Sequence, residues 1–283
     1  MNKAAALALL LLPALCLAQP CEPPAGLKDE TDAARIQQLA VSLLPCLASP
    51  DPRLRDDIAF EQLSTWARAG RLQPATLQRL RSDLVAVLDA KPDAVGVHQP
   101  FAVLTLAEVA RSDRLQPVLS PAERNDLVAH AARFLSSVSD YRGFVPGEGW
   151  RHGVAHGADL ALQLGMNDAL STVQRQQLLA AVSRQVLADH RHAYRFGEGN
   201  RLARAALQLQ LRLKPDAAAW QAWLDPLLLP LKQAQAWDET ALTDLHNLRE
   251  FLWPLLAGVL ELPDAAQREL WLAPLQQTLR RLP

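Results

Sequence analysis

The stretch GWRHGVAHGADLALQL, residues 149–164, decides the fold because it has the pattern of an amphipathic helix. At about 100° per residue, His152, His156 and Asp159 fall within one narrow stripe of this predicted helix. A solvated helix face usually carries lysine, arginine and glutamate. We therefore interpret the stripe as a site, and Gly153 and Gly157 beside it would let another backbone approach closely.

The rest of the chain also favours helices and has almost no strand signals. It is rich in alanine, leucine, glutamine and arginine, and motifs such as SPAE at Ser120 and STVQ at Ser171 are typical helix starts. Short connections favour antiparallel helix hairpins. We predict an all-α chain with helices over residues 31–48, 54–69, 74–89, 100–112, 121–138, 149–164, 172–189, 200–213, 216–235, 240–260 and 264–281.

A segment that recurs within the chain indicates a repeat of about fifty residues. The segment GEGWR at 147–151 returns as GEGNR at 197–201. Helix starts near 100, 149, 200 and 246 keep roughly the same interval. This spacing is typical of a curved α-solenoid of antiparallel helix hairpins, of the HEAT or armadillo kind. We expect residues 31–283 to form one such domain.

The first residues have the pattern of a secretory leader. MNKAAALALLLLPALCLA, residues 1–18, joins an early lysine to an apolar run and small residues, so we predict a signal peptide cleaved after Ala18. A Pro-rich arm at 19–30 follows. No later stretch offers about 20 uninterrupted apolar residues, which argues against stable membrane insertion. We expect a periplasmic or secreted protein.

The predicted export also indicates how the cysteines pair. Cys16 leaves with the leader, and Cys21 and Cys46 remain in an oxidising compartment, which predicts a disulfide between them. The alternative is a metal site or a reactive thiol, although neither cysteine lies near a histidine or another cysteine.

Charge and motifs exclude several classes of function. The formal net charge is −1 and the arginines are spread along the chain, so we expect no nucleic-acid partner. The sequence has no GxSxG nucleophile, P-loop or dinucleotide-binding glycine pattern.

The histidine stripe has three open interpretations. His152 and His156, four residues apart, could bind one metal with Asp159 as a third ligand, as zinc or iron(II) prefers. Gly153 takes the place of the general base in the HExxH motif, so metalloprotease chemistry of that kind is unsupported. Alternatively the histidines bond to neighbouring loops as a structural seam. The third interpretation is a ligand or catalytic pocket without metal or other cofactor.

The repeated GEG turns supply two carboxylates, Glu148 and Glu198. The pattern places each at a helix start, where the dipole favours negative charge and where Arg151 or Arg201 could form an ion pair. The alternative is a pair of catalytic carboxylates, as glycoside hydrolysis requires. Trp150 falls on the apolar side of its predicted helix, so we expect it to pack in the core.

Three segments together resemble the bacterial domain of unknown function 2785 family over roughly residues 54–215. They are RGFVPGEGWRHGVAHGADLALQL from Arg142, FAVLTLAEVARSD from Phe101 and FGEGNRLARAA from Phe196. The resemblance implies an all-helical, HEAT-like or armadillo-like domain and supplies no reaction. It maps the family's motif onto Gly143, Gly149, Trp150, His152, His156, Gly157, Asp159, Glu198 and Arg201.

The sequence thus predicts an exported helical-repeat protein that binds an unknown protein or small molecule through one polar face. That face would carry Glu148, His152, His156, Asp159, Glu198 and Arg201. The alternative is a hydrolase or lyase, metal-dependent or glycan-acting, that uses the same side chains.

Overall fold

A computed structural model describes residues 21–187, 191–234 and 236–283, and the predicted leader at 1–18 lies outside the described residues. Within these ranges the chain is mainly helical and has two short strands, β1 (Phe144–Val145) and β2 (Gly149–Trp150). The all-α prediction is confirmed. The α-helices α1 to α12 are, in order, Ala33–Ser42, Glu61–Arg68, Pro74–Asp89, His98–Leu115, Pro121–Ser137, Gly153–Gly165, Thr172–Val186, Glu198–Leu213, Ala217–Leu224, Leu229–Gln233, Glu239–Leu260 and Ala265–Arg280.

Three of the predicted helices are interrupted by other helical geometry. The first predicted helix ends in a 3-10 segment at Leu44–Ala48, and the ninth contains another at Asp225–Leu228. Each 3-10 segment has a proline in its first turn. Proline lacks the N–H that a continuing α-helix needs. The second predicted helix begins as a π-helix at Arg53–Phe60 before α2. A π-helix is rare and often marks a functional position.

The helices pack so that α6 is central. Helices α4, α6, α8 and α11 contact one another in that order, while α3, α5 and α7 pack against them. Close approach depends on glycine at two positions of α6. A Cβ on Gly157 would lie 2.8 Å from Leu135 Cδ1, and one on Gly165 would lie 2.6 Å from Leu209 Cδ2. The start of α6 is therefore surrounded by several other helices.

A disulfide joins Cys21 to Cys46, with Cα atoms 4.8 Å apart, as the sequence predicts. Closing this loop constrains the unfolded chain and contributes about 3 kcal/mol of stability. It fixes the N-terminal arm to the 3-10 segment just before the π-helix. Among the described residues, no helix is both long and apolar enough to cross a membrane.

Candidate functional site

The polar stripe begins at a β-hairpin, not inside a helix. β1 and β2 pair antiparallel. The N–H of Arg151 donates to Gly143 O and the N–H of His152 donates to Arg142 O. Both N–O distances are 3.0 Å, and the two hydrogen bonds extend the hairpin ladder. Helix α6 therefore begins at Gly153, four residues later than predicted. The prediction that His152 lies on the helical stripe is wrong, because its backbone is left-handed, with φ of 55°.

The hairpin also corrects the predictions for Glu148 and Trp150. Glu148 lies in the turn between the strands, and its Oε2 is 2.5 Å from Nη2 of Arg151. The sequence analysis allows this ion pair, but its prediction that Glu148 lies at a helix start is wrong. Trp150 lies on β2, where 38% of its surface is exposed, so it does not pack in the core as predicted.

Arg55, which the sequence analysis did not single out, holds the hairpin in place. Its guanidinium is 0% exposed, and Nη2 donates to the carbonyls of Glu148 (2.9 Å) and Trp150 (3.2 Å). Nη1 donates to Ser49 O at 3.0 Å, and Nε donates to Asp56 Oδ1 at 2.7 Å. Burial raises the pKa of Asp56 in spite of this arginine. No local pattern distinguishes this arginine from those on the surface.

Beneath the hairpin, His152 faces Glu198, which lies in the first turn of α8. His152 Nε2 and Glu198 Oε1 are 3.5 Å apart, an ion-pair distance too long for a good hydrogen bond. Both atoms are buried and make no hydrogen bond within the described residues. Burial would raise the pKa of Glu198, but His152 and the Phe196 N–H, 2.9 Å from Oε2, hold that pKa below its usual value. The sequence analysis places both residues on one polar face but does not pair them.

His156 is a buried, neutral histidine. Its Nδ1 lies 3.1 Å from Pro100 O, so Nδ1 carries the proton and donates. The ring contacts Phe101 edge-to-face, with centroids 5.3 Å apart. Burial, with a smaller contribution from His152, lowers the pKa of His156 to about 3. At neutral pH it is neither a general acid nor an effective base.

Asp159 and Arg201 form an ion pair that links α6 to α8. Asp159 is partly exposed, with 19% of its side-chain surface accessible. Burial raises the pKa of Asp159, and the nearby Arg201 and Arg204 only partly oppose that effect. The sequence analysis allows an ion pair between Arg201 and either glutamate of the GEG turns, Glu148 or Glu198, whereas the structure pairs Arg201 with Asp159.

The three predicted metal ligands have three different partners. His152 faces Glu198, His156 donates to a carbonyl, and Asp159 pairs with Arg201. The two imidazole rings meet edge-to-face, 5.7 Å between centroids. Over the described ranges, no group of three or more His, Cys, Asp or Glu side chains could hold a metal ion.

Three partly exposed aromatic side chains cover the His152–Glu198 pair. Phe144, Trp150 and Phe196, the aromatic cap, expose 44%, 38% and 37% of their surfaces. Trp150 meets Phe144 and Phe196 edge-to-face and stacks on the His152 ring at 4.7 Å. Gly143 makes room for the cap, because a Cβ there would lie 2.1 Å from Phe196 Cδ2. The two phenylalanines stand in the quoted motifs, yet helical periodicity gave them no role.

Fold and site together define a helical protein in which, over the described residues, a short hairpin precedes α6 and the polar side chains around that point have partners within the chain. The chain belongs to the family described as "Protein of unknown function (DUF2785)", whose family model matches residues 84–257. The resemblance drawn from the motifs is thereby confirmed. The match includes the aromatic cap and the whole polar stripe, whereas Arg55 and both disulfide cysteines lie before it.

Comparison with curated proteins and with solved structures gives no match to this chain.

Proposed function

We propose that this protein is an exported, HEAT-like curved α-solenoid that binds a protein partner through the aromatic cap. The single observation that carries the proposal is the cluster of three adjoining aromatic rings, each more than a third exposed, at the hairpin. Trp and Arg are enriched among residues that dominate binding energy at protein interfaces. Arg195 lies beside the cap, its guanidinium carbon 5.9 Å from the centre of the Phe196 ring.

The polar stripe supports the cap from below. Glu148 pairs with Arg151, Asp159 pairs with Arg201, and His156 bonds to a carbonyl, so these side chains are engaged within the chain. The His152–Glu198 pair lies under the stacked Trp150 ring. Stacking on the buried His152 ring restricts the positions open to the Trp150 ring. The binding surface that we propose is therefore the cap, with the stripe as its support.

Two observations are consistent with the solenoid and with export. Helices α4, α6, α8 and α11 follow one another with a second row, α3, α5 and α7, packed against them, an order that stacked helix hairpins would give. The Cys21–Cys46 disulfide suits an oxidising compartment. We include no metal in the proposal. Stoichiometric zinc or iron in purified protein, with a lower Tm after chelation, would contradict that part.

The proposed interface can be tested by photocrosslinking in the native host. We would replace Phe144 with benzoylphenylalanine and expect one discrete protein adduct after irradiation. The same photoprobe at Trp253, which is 57% exposed on α11, is the matched control and should give no such adduct. Trp150→Ala in the Phe144 photoprobe protein should abolish the adduct while circular dichroism stays unchanged. An adduct that survives Trp150→Ala, or no adduct at all, would contradict the proposal.

A second candidate, a hydrolase or lyase, is favoured by one electrostatic observation. The pKa of Asp159 is raised and that of Glu198 is lowered, and His152 lies 3.5 Å from Glu198 and within electrostatic reach of Asp159. Carboxyls whose pKa values are pushed apart are typical of acid and base pairs. Mass spectrometry of cell-wall glycans incubated with the mature protein tests this candidate. Product formation that Asp159→Asn and Glu198→Gln each abolish would support it, and an unchanged glycan profile would contradict it.

A further inference from the structure

The exposed edge of α6 is bordered by arginines from the two helices that flank it. Helix α6 packs between α4 and α8, and within α6 only Asp159 and Gln163 are not buried. Arginines of α4 and α8 lie on either side of this narrow strip. We call this group the arginine cluster, and its members are Arg111, Arg114, Arg201, Arg204 and Arg212.

Arg114, in the last turn of α4, lies close to two other arginines. Its Nη2 donates to Gln163 Oε1 over 3.3 Å, whereas its Nε is buried and has no hydrogen-bond partner within the described residues. The pKa of Arg114 is lowered, because burial and the positive charges of Arg111 and Arg212 oppose its protonated form. Arg114 therefore carries a charge and a donor that no described residue satisfies.

The carboxylates beside the cluster do not balance its charge. Asp159 pairs with Arg201 and is also within electrostatic reach of Arg204. Asp168, just after α6, pairs with Arg212, but 87% of the Asp168 side chain is exposed, so water screens that pair. Two carboxylates thus face the five arginines of the cluster, which leaves three positive charges without a partner.

The three arginines without a carboxylate partner are Arg111, Arg114 and Arg204, which form no ion pair with any residue that the structure describes. Beside them, Arg68 pairs with Glu108 and adds no net charge. Like charges held close together repel each other, and a bound anion would remove that repulsion. Guanidinium groups bind phosphate oxygens through two parallel hydrogen bonds, which would also use the unmet donor of Arg114.

We propose that the arginine cluster binds a small molecule that carries a diphosphate group. Such a group has about three negative charges near neutral pH, because the second proton of a terminal phosphate leaves near pH 6. Its charge therefore matches that of Arg111, Arg114 and Arg204, with Gln163 between them on α6. The site is distinct from the aromatic cap and does not depend on the proposed protein partner.

Pyrophosphate is the simplest probe of this site. In titration calorimetry of the purified protein at about 0.15 M salt, which screens weak surface attraction, we expect one site per chain with a Kd on the order of 0.1 mM. Orthophosphate, which offers one phosphate group, should bind at least about fivefold more weakly. Absence of saturable pyrophosphate binding, or equal binding of the two anions, would overturn the proposal.

Gln163→Glu is the decisive variant, because it places a carboxylate beside Arg114 with almost no change in size. We expect pyrophosphate binding to fall about tenfold or more while Tm stays unchanged or rises, since the new charge relieves the repulsion among the arginines. Gln177→Glu, at an exposed position of α7, changes the net charge equally and is the matched control. A lower Tm or unaltered pyrophosphate binding in Gln163→Glu would contradict the proposed site.

Removing single charges tests the cluster from the other direction. Arg111→Gln and Arg204→Gln should each weaken pyrophosphate binding by roughly 3- to 10-fold, with unchanged circular dichroism. Arg184→Gln, which removes an exposed arginine of α7, should bind pyrophosphate as the native protein does. An equal loss in Arg184→Gln would mean a general effect of net charge and would overturn the proposal. Trp150→Ala should leave pyrophosphate binding intact, which separates this test from that of the cap.

Discussion

The two GEG segments, 147–151 and 197–201, differ by one residue in sequence but adopt different structures after their first glycine. In the first, GEGWR, the chain turns through a hairpin and α6 begins only at Gly153. In the second, GEGNR, α8 begins at Glu198, and the N–H of Arg201 donates to Gly197 O as the first helical hydrogen bond. The same letters therefore start a helix in one place and delay it in the other.

The difference lies in whether a distant side chain binds the backbone carbonyls of the segment. Arg55 binds the carbonyls of Glu148 and Trp150, which a helix through the first segment would have needed for its own hydrogen bonds. In the described residues, no side chain binds the backbone carbonyls of the second segment, so its helix forms at once. Local sequence permits both conformations, and a distant arginine selects one of them.

Removing that arginine should have the largest effect. Arg55→Met leaves three carbonyls and Asp56 without their buried donor, and we expect a loss of about 3–5 kcal/mol in the free energy of unfolding. Urea denaturation measures the loss, and hydrogen exchange should show faster exchange at the His152 amide than at Arg201. Arg53→Met, on the same π-helix but at an exposed position, is the control. A loss under about 1 kcal/mol would contradict the proposed role of Arg55.

The next largest losses of stability should come from alanine substitutions at the four glycines of the two GEG segments. Gly147 and Gly197 have left-handed backbones in open space, so each change should cost about 1 kcal/mol. Gly149 combines a φ of 76° with a Cβ position 2.6 Å from Pro52 Cβ, so Gly149→Ala should cost about 3 kcal/mol.

The fourth glycine differs from the others, and its variant completes the comparison. Gly199 has a helical backbone, but its Cβ would lie 2.6 Å from Glu250 O, so Gly199→Ala should cost about 2 kcal/mol. Thermal unfolding of all four variants gives the ranking. Equal costs at the two second-position glycines, Gly149 and Gly199, would mean that the segments do not differ as described.

The pH dependence of stability should follow from the neutral His156. Its folded pKa of about 3 lies below the usual value near 6.5, so below pH 6.5 the unfolded chain binds a proton that the folded chain refuses. Stability attributable to His156 should therefore fall by about 2 kcal/mol between about pH 7.5 and pH 5. His156→Gln should remove this share of the pH dependence. Imidazole NMR signals of His156 that titrate near pH 6.5 would contradict it.

What the sequence could predict follows from which determinants are local. Capping boxes at Ser120 and Ser171 begin α5 and α7 as expected, because periodicity and caps act within one turn. The hairpin was missed because its determinant, Arg55, lies 95 residues before Trp150. The stripe residues were recognised, but their partners were not. His156 bonds to Pro100, and His152 meets Glu198, contacts that only the packing of α4, α6 and α8 creates.

The smallest effect should come from the arginine that ends the second segment. Arg201 is 40% exposed, so its ion pair with Asp159 is screened by water, and Arg201→Met should cost less than about 1 kcal/mol. Arg151, at the matching position of the first segment, is 4% exposed and bonded to Val95 O and Glu148, so Arg151→Met should cost about 2 kcal/mol. Urea denaturation of the two variants compares them directly. If Arg201→Met were the more damaging, the second segment would depend on its side chains as the first does, and the distinction between the two segments would fail.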